Sequence, residues 1–454
     1  MNERKGLENM GSVKIVIIGA SFAGISSAIT AKSLNEQAEV IVIDRQASVG
    51  FVPSSMNRLL KGKIETLTEQ PAVTVERLEQ LGVKMMLSTE VVDISVDNKK
   101  LTLIKNSEEA VIHYDKLILA MGSIQTSERI EGTNHPKVLT SKTLAASLKS
   151  QEELNQTEHI LIVGGGYVGL EAADAYKTVG KKVTLVEAFD SLAFKAYDPE
   201  MMIELEKRME EQGVTIHKNQ QTKAIQETDK GLRTLTSQNN QYHSDHVLLA
   251  VSFRPNTQLI QDQIDTHLDQ TIAVDDYLKT SHPDIYATGD LIRVPYKGTK
   301  SDYYLPLVNH AVITGRIAAM NALGLSEPLE PFVRVVGSQL FGLYIGSVGL
   351  TEEEARLYHE TETITHHRKI EHEIPITLKL IVDKTSGQLL GGQVYSEMNI
   401  FGLMDTLALA IKAEMRDRDL ALQDFLYYST DSIVMPVLQE SAFLMYQKRL
   451  KGAS

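Results

Sequence analysis

The sequence predicts an α/β protein: a βαβ design occurs twice in the first two thirds, and an α+β region follows. Three observations predict it. Two apolar runs, at 13–18 and 159–163, each end in a glycine turn that opens a stretch of helical spacing. Two further runs, at 40–43 and 182–186, each close on an acid, Asp44 and Glu187. From Phe332 to Ser454 that order is lost, and strand-like runs at 378–382 and 389–395 precede a helical stretch at 400–414.

The first turn reads Gly19-Ala20-Ser21-Phe22-Ala23-Gly24, with Ser21 in the place of the second glycine of G-x-G-x-x-G. A helix is expected over 25–34, then a buried parallel strand ending on Asp44. This is the order of a dinucleotide-binding unit, in which turn N–H groups and a helix N-terminus face a pyrophosphate and the acid takes a ribose hydroxyl. The segment Gly50-Phe51-Val52-Pro53-Ser54-Ser55 is expected to face the reactive part of the nucleotide. Helices at 56–60 and 73–81, a strand at 82–86, antiparallel strands at 91–96 and 100–104, and a buried strand at 116–120 follow.

The second turn carries the full motif at Gly164, Gly166 and Gly169, with a helix over 170–179 and Glu187 about 20 residues beyond the last glycine. A strand at 247–250 and another at 284–287 lead to Thr288-Gly289-Asp290, and a long helix is expected over 305–323. The expected division is 12–125 and 251–325 for one nucleotide unit in two parts, 126–250 for the other, and 326–454 for the C-terminal region. Two dinucleotide sites suggest a bound flavin and a diffusible nicotinamide.

Composition narrows the classes. The 454 residues are 43% hydrophobic and 23% charged, as in globular proteins. A net charge of −13 argues against nucleic acid as a partner. There is no cysteine, so disulfides, thiolate metal sites and thiol catalysis are excluded for this chain. The polar N-terminus has no apolar signal region, and the run at 13–18 is too short to span a bilayer, so the cytoplasm is expected. His366-His367, with His372 nearby, sit in a polar stretch without metal-ligand spacing, and no metal is expected.

These motifs together resemble the flavoprotein pyridine nucleotide-disulfide oxidoreductase superfamily, in particular the branch of NADH oxidase, NADH peroxidase and coenzyme A-disulfide reductase. The resemblance implies two Rossmann-like dinucleotide-binding domains, for FAD and NADH, plus a C-terminal α+β dimerisation domain and a homodimer. It implies FAD binding by Gly19, Ser21, Gly24, Asp44, Arg45, Ala120, Gly122 and Asp290, with Asp44 on the adenosine ribose and Asp290 on the ribityl chain. It implies NADH binding by Gly164, Gly166, Gly169 and Glu187, with Tyr167 covering the flavin until NADH displaces it. Tyr427-Tyr428 resemble the region by which a partner subunit reaches the site.

The departures fall at the chemistry. Ser54 stands where the family has its redox cysteine, Phe22 where it has the active-site histidine, and His310 where it has asparagine. A serine cannot cycle through a sulfenic acid. The expected reaction is hydride transfer from NADH to FAD, then direct transfer to oxygen, releasing peroxide, or to another acceptor. Two alternatives stay open. One is an NADH-dependent reductase of a quinone or activated double bond, with Phe22 and Phe51 as an apolar wall and Ser54 or His310 placing or protonating substrate. The other is a non-catalytic FAD- and NADH-binding redox sensor.

Overall fold

A computed structural model describes residues 12–69, 73–126, 129–251, 253–370, 373–426 and 436–452. Strand β1 (Lys14–Ile18) is apolar on both faces because it lies in the middle of a sheet. Helix α1 (Phe22–Leu34) begins three residues before the expected start, directly after Ser21. Strand β2 (Glu39–Ile43) pairs in parallel beside β1. Strands Val83–Met86, Lys116–Leu119 and Ile285–Ala287 complete a five-stranded parallel sheet, in which the last arrives from more than 160 residues downstream of its neighbour.

A short helix, α2 (Ser55–Leu60), follows the 50–54 segment. Its Met56 and Leu60 are buried with Leu170, Tyr176 and Leu205 of the second unit, so the helix is packed away from the sheet that precedes it. Lys61, just beyond it, pairs with Asp174.

The second sheet repeats the first. Strand β3 (His159–Val163) is central, α3 (Tyr167–Thr178) follows the turn, and β4 (Lys182–Val186) lies alongside. Strands Val214–His217, His246–Leu249 and Val138–Leu139 extend it, all parallel. Each unit inserts a three-stranded antiparallel meander before a core strand, over 90–113 ahead of Lys116–Leu119 and over 222–244 ahead of His246–Leu249. The first meander has a third strand, Glu108–His113, beyond the two that the sequence predicts. Helix α4 (Pro199–Glu211) opens with proline at its start and buries Met201, Met202, Leu205 and Met209 on one face.

Helix α5 (Val308–Ala322) starts three residues later than expected, because 305–307 turns first, with Leu307 N–H donating to Leu305 O at 2.8 Å. It crosses α1 closely: a Cβ on Gly315 would sit 2.3 Å from Ala23 O, so only glycine permits this approach. Ser27 Oγ donates to Gly315 O at 2.9 Å across the same crossing.

The C-terminal region is a five-stranded antiparallel sheet, with Leu343–Gly349, Leu389–Ser396 and Ile374–Asp383 in the middle. Helices Phe401–Lys412 and Val437–Gly452 bury Met404, Leu407, Leu438 and Met445 with it. His366 and His367 lie on the edge strand and bond Ser441 Oγ and Thr377 Oγ1 at 3.0 and 2.9 Å through Nδ1. His372 and Tyr427-Tyr428 fall outside the described residues. Among the described residues no helix is long and apolar enough to cross a membrane.

Candidate active site

Both glycine turns are held by one hydrogen-bond pattern, written twice. Gly19 N–H donates to Ile43 O and Gly164 N–H to Val186 O, each at 2.8 Å. The next residue donates to the acid: Ala20 N–H to Asp44 Oδ2 at 2.7 Å, Gly165 N–H to Glu187 Oε2 at 2.5 Å. The other carboxylate oxygen accepts from the N–H two residues on, Gln46 at 2.7 Å and Phe189 at 2.8 Å. The turn carbonyl then accepts from the loop beyond the acid, Ala20 O from Gly50 at 2.8 Å and Gly165 O from Ala193 at 2.9 Å. Each acid is thus fixed against its turn, with lone pairs left for ribose hydroxyls.

Gly19 and Gly164 have φ of +114° and +106°, and a Cβ on either would strike Ala120 O at 2.2 Å or Val251 Cγ1 at 2.4 Å. A Cβ on Gly24 or Gly169 would lie 1.8 or 1.9 Å from the carbonyl oxygen of its own turn's first glycine. Gly166 differs: a Cβ there meets nothing within 4 Å. Ser21, its counterpart, has an ordinary φ of −105° and is exposed. The serine therefore leaves the first turn intact, since that position faces open space.

A cavity of about 680 Å³ opens at the first turn. That volume is within the roughly 300–1,000 Å³ range of cofactor sites. Gly19, Ser21, Phe22, Asp44, Arg45, Ala120, Gly122 and Asp290 line it, and Gly24 lies behind the turn. Helix α1 presents its N-terminus to the cavity with no capping side chain and no acid in its first turn, leaving N–H groups and a positive dipole end for a phosphate. Thr288 Oγ1, on the same wall, is buried without a partner. These features fit FAD. The second turn fits a nicotinamide dinucleotide in the same way: α3 starts at an open Gly166, again without a capping side chain or first-turn acid.

The sequence reading missed Lys142, which also lines the cavity. Its ammonium lies 2.8 Å from Ser123 Oγ and 3.5 Å from Asp290 Oδ2, and Ser123 donates to that oxygen at 2.7 Å. Lys142 comes from the stretch between the Val138–Leu139 strand and the next helix, and no motif surrounds it.

Three expected site residues stand off the cavity wall. Ser54 is half-buried at the N-cap of α2 and makes no capping bond, while neighbouring Phe51 and Pro53 do line the wall. His310 is 3% exposed, packs on Phe332 with centroids 4.4 Å apart, and bonds Leu305 O through Nδ1 at 3.3 Å. Burial lowers its basicity, and its contacts are those of a packed histidine bonded to backbone. Tyr167 packs against Tyr197 with centroids 5.9 Å apart, and burial holds its phenol well above the usual range.

The pyridine nucleotide-disulphide oxidoreductase profile matches residues 13–315, and the dimerisation-domain profile of the same name matches 337–434. An NADH oxidase of Streptococcus pneumoniae serotype 4 is 32% identical over 443 residues, covering 91% of this chain and 95% of its own length. An NADH oxidase of Enterococcus faecalis is 29% identical over 425 residues, with the same coverage of both chains. A water-forming NADH oxidase from Lactobacillus brevis bound to NADH superposes with a TM-score of 0.93 at 26% identity, over 98% of this chain and 100% of that one.

Proposed function

The chain belongs to the pyridine nucleotide-disulphide oxidoreductase family, and from that premise we propose a cysteine-independent, FAD-dependent NADH oxidase that releases hydrogen peroxide. The observation that carries the peroxide reading is Ser54, in the place of the thiol, in a chain without cysteine.

Glycine turn one, with Asp44, would hold the adenosine half of FAD. Lys142 offsets the charge of Asp290, which would otherwise repel an approaching pyrophosphate. The second turn and Glu187 would hold NADH, and the buried Glu187 carboxylate disfavours a 2′-phosphate, so NADH is preferred to NADPH. Held there, FAD would supply the hydride-accepting chemistry that links NADH to the acceptor. Phe22, Phe51 and Pro53 present apolar surface to the cavity and limit water there. The Tyr167 phenol stays protonated at neutral pH, so it cannot act as a base.

The chain has no thiol to give two electrons to peroxide and be regenerated by flavin, so oxygen, NADH and a proton give peroxide and NAD⁺, and the reaction stops there. The test follows NADH, oxygen and peroxide together. One NADH per oxygen, with stoichiometric peroxide, is expected; two NADH per oxygen without peroxide overturns the reading. A quinone or activated double bond is a second reading for the acceptor, supported by the aromatic wall of Phe22 and Phe51. Anaerobic reoxidation that outpaces reoxidation by oxygen would select it. A homodimer through the C-terminal region belongs to the same proposal.

A further inference from the structure

We propose that Arg334 and Lys379, two buried cations outside the second nucleotide unit, are positioning residues that set its affinity for NADH. This rests on the reading that NADH binds between Gly164 and Glu187.

The loop 188–198 runs from Glu187 to the start of α4 and is fastened at three points. Ala193 N–H donates to Gly165 O at 2.9 Å, and Leu192 is fully buried against the turn, where a Cβ on Gly165 would lie 2.6 Å from Leu192 Cδ2. Lys195 O accepts from Arg334 Nη1 at 2.6 Å, and the same guanidinium grips both oxygens of Glu354 at 2.8 Å. Asp198 N–H donates to Gln393 Oε1 at 2.9 Å, and its carboxylate lies 2.8 Å from the Lys379 ammonium. Lys379 also bonds Glu200 and Glu352, and it is 1% exposed.

These contacts form a closed circuit. Arg334 and Lys379 hold the loop, the loop holds Gly165, and Gly165 holds the Glu187 carboxylate. The loop is exposed at 188–190 and 194–195, where Phe189 and Phe194 face each other with ring centroids 3.9 Å apart. A planar, forked guanidinium can satisfy a carbonyl and a carboxylate at once, whereas a single ammonium cannot span the same three acceptors. The loop's position, and with it the acid's aim at a ribose, then depends on side chains that touch no nucleotide.

The experiment uses the FAD-loaded full chain with Arg334→Lys and, separately, the isosteric Asp198→Asn. NAD⁺ affinity is read without turnover by fluorescence quenching, alongside steady-state kinetics. Arg334→Lys is expected to raise the NAD⁺ Kd and the NADH KM about tenfold, and Asp198→Asn about threefold. In both, kcat at saturating NADH and the flavin absorbance stay at parental values. Parental Kd and KM in both variants overturn the proposal. So does a parallel loss of flavin and kcat with KM unmoved, which marks a merely structural role. Failure of the unsubstituted chain to bind NAD⁺ overturns the functional reading itself.

Discussion

Two glycines of the second turn, three residues apart, should respond oppositely to one added methyl group. In Gly169→Ala the new Cβ would stand 1.9 Å from Gly164 O and 3.0 Å from Gly164 C. Both obstacles are backbone, so α3 must move off the turn that it is packed against. Overpacking of this kind costs about 1–3 kcal/mol or more. For a unit of this size that lowers Tm by roughly 3–10 °C. In Gly166→Ala the Cβ meets nothing, and φ is an ordinary −75°. Stability should hold within about 0.5 kcal/mol. Ser21 already occupies the matching position of the first turn, so NADH KM should change less than about threefold. Thermal unfolding and NADH saturation curves on the two variants decide the matter. A Gly166→Ala variant that unfolds as early as Gly169→Ala refutes the geometric argument. One that folds normally but loses NADH tenfold refutes the equivalence of the two turns.

Ser54→Cys supplies the missing thiol; peroxide yield should fall and NADH consumed per oxygen should rise, whereas unchanged peroxide would mean that position 54 does not reach the chemistry. Lys142→Met removes the cation beside Asp290 and should weaken FAD binding about tenfold or more, read by titrating apoprotein with FAD; parental affinity refutes the role. Burial holds His159, His246 and His310 below their usual 6.5. The unfolded chain therefore binds more protons below that pH, and the stability these groups contribute is complete above it and lost as pH falls through their folded values. Tm should decline between pH 7 and pH 5, and a rise over that interval would contradict the assignment.

The turn residues, the two acids and the central strands were legible because each is a local pattern: a two-sided apolar run, a glycine where φ is positive, a carboxylate at fixed spacing. The third strand of the first meander was not, since Glu108–His113 is exposed along most of its length and carries no apolar alternation. Lys142 was invisible for another reason. Its partners Ser123 and Asp290 lie 19 and 148 residues away, and only the fold brings them together. His310 is a residue type that suggests proton transfer, while its burial against Phe332 is a tertiary fact that no local pattern carries. The Arg334–Lys195 and Lys379–Asp198 contacts are of the same kind, each joining segments more than 130 residues apart.

The duplicated hydrogen-bond pattern also bears on how fast and how cheaply nucleotides bind. Asp44 and Glu187 each engage two backbone donors within the protein itself, so neither turn waits for a ligand to take its shape. The conformational entropy of these loops is spent during folding, and an arriving dinucleotide meets a mould already set. Association at either turn should be governed by diffusion and desolvation, with little rearrangement of the glycine loops to slow it.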